Sequence, residues 1–153
     1  MRIIQVVGSS NSGKTTLIRE LVPALSVKGR VGVIKHLGDH LYDLSPGKDT
    51  TEFFSSGASI SVGMDAEKSV AAIRTTSLDR ILLLLYTEGI DFAVIEGFKT
   101  RPFPRVVIGD LATENCVIRN PSVTDIIASL EKFSLYIPPA GIRGQDKKGA
   151  GQA

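Results

Sequence analysis

The chain has one cysteine, Cys116, so it closes no internal disulfide. A reduced, cytoplasmic setting fits that scarcity. The thiol lies in the apolar run Cys116-Val117-Ile118 with no basic residue directly beside it, and it is expected to be buried as inert packing. A long hydrophobic run is also missing. Ile81 to Tyr86 falls far short of the roughly 20 residues that a membrane span needs, and Met1 to Val7 gives way to glycine before a signal peptide's apolar region has formed. A membrane is therefore not expected as a partner. Charge of one sign is not in excess either: 18 basic residues stand against 16 acidic, a net +2, which argues against nucleic acid as a partner. No internal repeat is present. What remains is an ordinary globular composition, 42% hydrophobic and 22% charged, in 153 residues, a length that favours one domain with a core of its own. That single domain is expected over residues 1–140, with the Gly-, Lys- and Gln-rich end, Gly141 to Ala153, as a disordered tail.

The apolar residues alternate between two periodicities. Ile3 to Val7 is a short β-branched run, the pattern of a strand covered on both faces in a parallel sheet. From Lys14 to about Lys28, Leu17, Ile18, Leu21 and Leu25 recur at helical spacing, with Pro23 as a possible kink and Gly29 as the stop. Val31 to Ile34 reads as a second strand and Lys35 to Lys48 as a long loop. Asp49-Thr50-Thr51-Glu52 has capping-box spacing, which predicts a short helix with Asp49 at its N-cap. Ala58 to Val62 is a candidate strand, Leu78 to Glu88 a helix, and Asp91 to Ile95 a strongly apolar strand that Asp91 opens as a turn residue. Arg105 to Ile108 and Val117-Ile118 are later strands, and Ser122 to Phe133 reads as a helix. Strands alternating with helices predict an α/β fold with a mainly parallel sheet flanked by helices.

Between the first strand and the first helix stands Gly8-Ser9-Ser10-Asn11-Ser12-Gly13-Lys14-Thr15, a full match to G-x-x-x-x-G-K-[ST], the P-loop of nucleoside-triphosphate-binding folds. A triphosphate is a dense anion. Holding it takes several backbone N–H groups at close range, which the bare Gly8 and Gly13 allow, and a helix N-terminus aimed at the charge. Lys14 is suited to the β- and γ-phosphates and Thr15 to Mg²⁺; Thr16 follows in the same first helical turn. Such sites need an acid at the end of a neighbouring strand. In Asp91-Phe92-Ala93-Val94-Ile95-Glu96-Gly97 four apolar residues deliver Glu96 there, at the strand's carboxyl end, with Gly97 for a sharp exit.

Other residues carry open alternatives. Lys35 ends the second strand and is a candidate phosphate contact or a solvated lysine. Lys99, Arg101 and Arg105 read as the edge of an anionic-ligand site or as a solvated basic loop, with Phe98 and Phe103 as loop anchors or a partner surface. His36 and His40, separated by Gly38, fit a polar loop contact better than a metal pair. The N-K-x-D base-reading motif of GTPases is absent; Asn120 is a candidate for that role, with Arg119 and Asp125 as rivals.

Taken in order, Gly8 to Thr15, Ile34-Lys35-His36, Pro46-Gly47-Lys48-Asp49-Thr50, Gly57-Ala58 and Val94-Ile95-Glu96-Gly97-Phe98-Lys99 resemble the molybdopterin-guanine dinucleotide biosynthesis protein B family (MobB) over roughly residues 2 to 109. Two departures are visible: a single further histidine, His40, follows His36, and Thr51 to Ser56 has no basic residue. The resemblance implies a homodimeric GTP-binding protein with GTP and Mg²⁺ as ligands and weak GTPase activity. It would assist the guanylyltransferase that joins GMP to the molybdenum-bearing pterin, with molybdopterin itself as a further candidate ligand. It also implies for Asp49 a second role beside Lys14 and Glu96, in positioning Mg²⁺ or the attacking water. The alternatives from other classes are an ATP-dependent small-molecule kinase and a non-hydrolytic nucleotide-binding adaptor or carrier. No residue is an obvious base for water and no arginine finger can be assigned, so turnover is expected below about 1 s⁻¹, the lower end for kinases.

Overall fold

The computed structural model describes residues 1–38 and 40–141. The expected tail falls almost wholly outside them. The chain divides into two compact units, one of Met1–His36 with the chain from Ile81 onward, the other of Leu37–Arg80.

The first unit is a five-stranded parallel sheet. Its strands are β1 (Arg2–Gly8), β2 (Val31–Lys35), β5 (Phe92–Glu96), β6 (Arg105–Ile108) and β7 (Cys116–Arg119), in the spatial order β2-β5-β1-β6-β7. The second unit holds α2 (Asp49–Ser55) and an antiparallel pair, β3 (Ile60–Met64) and β4 (Ser69–Ile73). The helices α1 (Lys14–Ser26), α3 (Leu78–Thr87) and α4 (Val123–Ala128) complete the secondary structure, followed by one 3-10 turn, Leu130–Lys132.

β1 is the central strand, and its β-branched residues explain why: Ile4 and Val6 face one side, Ile3 and Val7 the other, and all four are buried. Ile4, Val6, Val94 and Val106 form the floor of a core roofed by Ile18, Leu21 and Leu25 of α1, by Ile126 of α4 and by Phe133. On the opposite face Leu82 of α3 is buried, and Leu85 packs so close to Gly32 that a methyl group there would lie 2.9 Å from it. Leu21 is fully buried in the first core. Leu21→Ala removes three buried carbons and leaves a cavity, so unfolding in urea should show a loss of about 2–5 kcal/mol. Against a typical total of roughly 5–15 kcal/mol, that is a large fraction of the stability.

Several expectations need correction. α1 runs through Pro23, whose exposed position leaves the orphaned Arg19 carbonyl to water, and it is capped at Val27 in ordinary right-handed geometry instead of at a left-handed Gly29. Asp49 is not an N-cap. The Lys48 carbonyl accepts from both Thr51 N and Glu52 N, which makes Lys48 the cap and puts Asp49 in the first turn with no capping side-chain bond. The strand expected over Ala58 to Val62 is displaced to Ile60–Met64 and pairs antiparallel with β4, which no sequence signal had suggested. Its turn is tied by Asp65, whose carboxylate accepts from Glu67 N and Lys68 N and pairs with Lys68 Nζ at 2.9 Å. These bonds, the one from the Lys68 ammonium foremost, hold the Asp65 carboxyl below its ordinary pKa. The helix expected over Ser122 to Phe133 ends at Ala128. Cys116 is exposed, because it opens β7, an edge strand, rather than lying inside the sheet.

Candidate functional site

In a parallel sheet every strand delivers its last residue to the same edge, and open α/β folds take up ligands there. The residues so delivered are Gly8, Lys35, Glu96, Ile108 and Arg119. The register sets Glu96 level with Val6 on one side and Lys35 on the other.

The loop from Gly8 to Gly13 rises from β1 directly into α1. Gly8 is pressed against the neighbouring strand: a Cβ at this position would stand 2.5 Å from the Ile108 carbonyl oxygen and 2.6 Å from Ser12 Oγ. Gly13 enters α1 with φ +93°, a left-handed conformation that a side chain resists. Asn11 is also left-handed at φ +57°. Lys14 folds over this loop, donating to the Ser9 carbonyl at 2.5 Å and to Ser12 Oγ at 3.4 Å. Thr15 Oγ1 donates to Glu96 Oε2 at 3.3 Å, and Lys35 Nζ lies 3.8 Å from Glu96 Oε1. The structure thus brings together Lys14, Thr15, Glu96 and Lys35 from three elements. A hydroxyl and a carboxylate converging in this way form the hard-oxygen donor set that suits Mg²⁺. The exposed backbone N–H groups at the start of α1 suit an anion.

The remaining sequence candidates divide. Asn120 sits at the same sheet edge with φ +46°, and its Oδ1 accepts from Gly109 N at 2.6 Å, one residue beyond the Ile108 that flanks Gly8. Its amide NH₂ is the end left to donate. Arg119 donates to the carbonyls of Gly109 and Leu111. Asp125 closes a capping box with Ser122 at the start of α4, and the Ser122 hydroxyl and amide hold its carboxyl below the ordinary value. Asp49 belongs to the second unit. Of the two readings left open for Arg105, ligand edge or solvated loop, the structure bears out neither. The Arg105 side chain is buried, donating to the carbonyls of Lys99, Arg101 and Phe103 and to Thr113 Oγ1. Phe98 stacks on His36, with ring centroids 4.4 Å apart. Sequence reasoning missed Gln5, whose buried carboxamide donates to the carbonyls of Gly97 and Phe98. The available signal was one amide inside an otherwise apolar strand.

A protein-family model described as molybdopterin guanine dinucleotide synthesis protein B matches residues 3–131. The chain belongs to this MobB family. A probable molybdopterin-guanine dinucleotide biosynthesis adapter protein of Bacillus subtilis is 38% identical over 110 residues, covering 69% of this chain and 64% of the relative. A putative adapter protein of the same description from Methanocaldococcus jannaschii is 39% identical over 99 residues, covering 65% of this chain and 42% of its own. The chain therefore spans less than two thirds of the length of these relatives. The crystal structure of Bacillus subtilis MobB superposes with a TM-score of 0.70 at 26% identity, over 88% of this chain and 99% of that one. The fold is accordingly the P-loop NTPase fold of MobB proteins, a mainly parallel sheet flanked by helices. Among the described residues, no helix is long and apolar enough to cross a membrane.

Proposed function

We propose that this chain binds GTP with Mg²⁺ at Gly8 to Thr15, hydrolyses it slowly, and acts as an adapter in the synthesis of molybdopterin-guanine dinucleotide. The observation that carries this reading is the 3.3 Å approach of Thr15 Oγ1 to Glu96 Oε2 beside the Gly8–Gly13 loop. The names of the relatives, which describe adapter proteins of that synthesis, support the pathway.

In this reading the N–H groups of Ser9 to Thr16 surround the phosphates, and Lys14 neutralises the β and γ oxygens. Thr15 and Glu96 would hold the metal ion, which when bound would supply charge neutralisation at the phosphates. Lys35 offers a second cation to the phosphates and sets the charge next to Glu96. Asn120 is the candidate base reader. The partner is the molybdenum-cofactor guanylyltransferase, with molybdopterin as a further ligand, in the cytoplasm. A homodimer is supported by the β3–β4 pair, where Ile60, Val62 and Met64 lie on one strand face and remain exposed.

Calorimetric titration with GTP and ATP in parallel, each with and without Mg²⁺, tests the assignment. GTP should bind at least tenfold more tightly than ATP, with Mg²⁺ strengthening it. Equal or reversed preference would bring forward an ATP-dependent kinase, and GTP binding without any turnover would leave a non-hydrolytic carrier.

A further inference from the structure

The segment that follows Glu96 runs back along the sheet edge to β6, and it is held from beneath by two buried polar side chains. Gln5 of β1 and Arg105 of β6 are register partners, so they project from the same face of the sheet. Gln5 is fully buried, and its Nε2 donates 2.7 Å hydrogen bonds to both the Gly97 and the Phe98 carbonyls. Arg105, 3% exposed, takes the carbonyls of Lys99, Arg101 and Phe103. Five carbonyls between Gly97 and Phe103 therefore turn inward onto two neighbouring side chains.

This arrangement has a cost that core packing would not incur. Among the described residues, Gln5 Oε1 is buried without a hydrogen-bond partner and no carboxylate pairs with the Arg105 guanidinium. An apolar residue at position 5 would avoid the first cost. What an apolar residue lacks is the pair of donors. Those donors meet an unusual backbone, with Gly97 at φ +92° and Phe98 at φ +50°. Two consecutive left-handed residues, one of them bulky, persist only when the surroundings hold them. Glu96 is the residue immediately before. Its own carbonyl accepts from His36 N at 2.9 Å, and the Gly97 N–H donates to the Val6 carbonyl at 3.0 Å.

We propose that Gln5, with Arg105, is a positioning residue for the metal site: by capturing the carbonyls of residues 97–103 it holds the Gly97-Phe98 turn, and through that turn it sets the Glu96 carboxylate against Thr15. The inference rests on the nucleotide reading above. Mg²⁺ requires near-octahedral geometry, so a small displacement of one carboxylate weakens the metal-dependent part of binding while the loop–phosphate contacts remain.

The test uses the full chain and Gln5→Met, which keeps the volume and removes both donors. GTP affinity is measured by calorimetry with and without Mg²⁺, and hydrogen exchange is followed at the Arg101 amide, which donates to the Phe98 carbonyl at 2.9 Å. The expected result is a metal-free affinity changed less than about threefold, a Mg²⁺-dependent gain reduced at least tenfold, and Arg101 exchange at least tenfold faster. A merely structural role would weaken both affinities alike, and that outcome, or an undiminished Mg²⁺ gain in the folded variant, overturns the proposal. Should Gln5→Met fail to fold, exchange in the unmodified protein decides: Arg101 protected like the β5 amides supports the clamp, and exchange at open-loop rates overturns it. No GTP uptake by the unmodified chain overturns the nucleotide reading and the metal role together, whereas the exchange difference judges the clamp separately.

Discussion

Lys14→Ala is expected to lower GTP affinity at least a hundredfold while leaving the fold intact. The ammonium already lies against the loop it serves, on the Ser9 carbonyl and Ser12 Oγ. A unit positive charge about 4 Å from a phosphate oxygen contributes roughly 4 kcal/mol at an effective dielectric of about 20. That is close to three powers of ten in affinity. Its present contacts are local to the loop and make no part of the core, so the unfolding midpoint should move by no more than about 2 °C. Calorimetry and thermal unfolding on the same sample separate the two effects. A folded Lys14→Ala protein with unchanged GTP affinity would refute the site.

Glu96→Gln should act in opposite directions with and without metal. The carboxylate is 9% exposed, accepts from Thr15 Oγ1 and lies 3.8 Å from the Lys35 ammonium. In the reading advanced here it holds Mg²⁺ or the metal's waters. The amide keeps the shape and removes the negative charge, so the Mg²⁺-dependent gain in GTP affinity should fall by at least about tenfold to a hundredfold, the range for losing a group that only orients a metal's ligands. Without Mg²⁺ the same carboxylate repels phosphate, so the variant should bind GTP as tightly as the parent or more tightly. Equal loss under both conditions would mean that Glu96 holds up the fold instead of the metal. The Lys35 pair should matter little to stability, since the ammonium is half exposed and the contact is long.

What was legible in the sequence followed from local rules. A β-branched run, a glycine-spaced loop and a helical repeat of Leu and Ile stand in immediate succession from Ile3 to Leu25, and each needs only its own neighbours to be recognised. Glu96 was readable for the same reason, since four apolar residues in extended conformation carry whatever follows them to the strand end. The cap at Asp49 was misread because Lys48 and Asp49 offer competing starts one residue apart, and the carbonyl geometry decides between them. β4 was missed because Ser69-Val70-Ala71-Ala72-Ile73 has little apolar contrast of its own and becomes a strand by pairing with β3. Cys116 was misjudged because burial of a short apolar run depends on which strand lies at the sheet edge.

The sequence by itself determined the parallel α/β class, the glycine-spaced loop between β1 and α1, and the delivery of Glu96 to a strand end, because these depend on contacts within a few residues. Only the tertiary structure decided that Thr15 meets Glu96, 81 residues away along the chain, and that Gln5 and Arg105 turn the loop after Glu96 inward. Those pairings depend on strand order and register, which arise from packing both faces of the sheet at once. A basic residue such as Arg105 reads in sequence as a ligand contact or a solvated loop residue, and the register turns it into a buried hold on its own backbone.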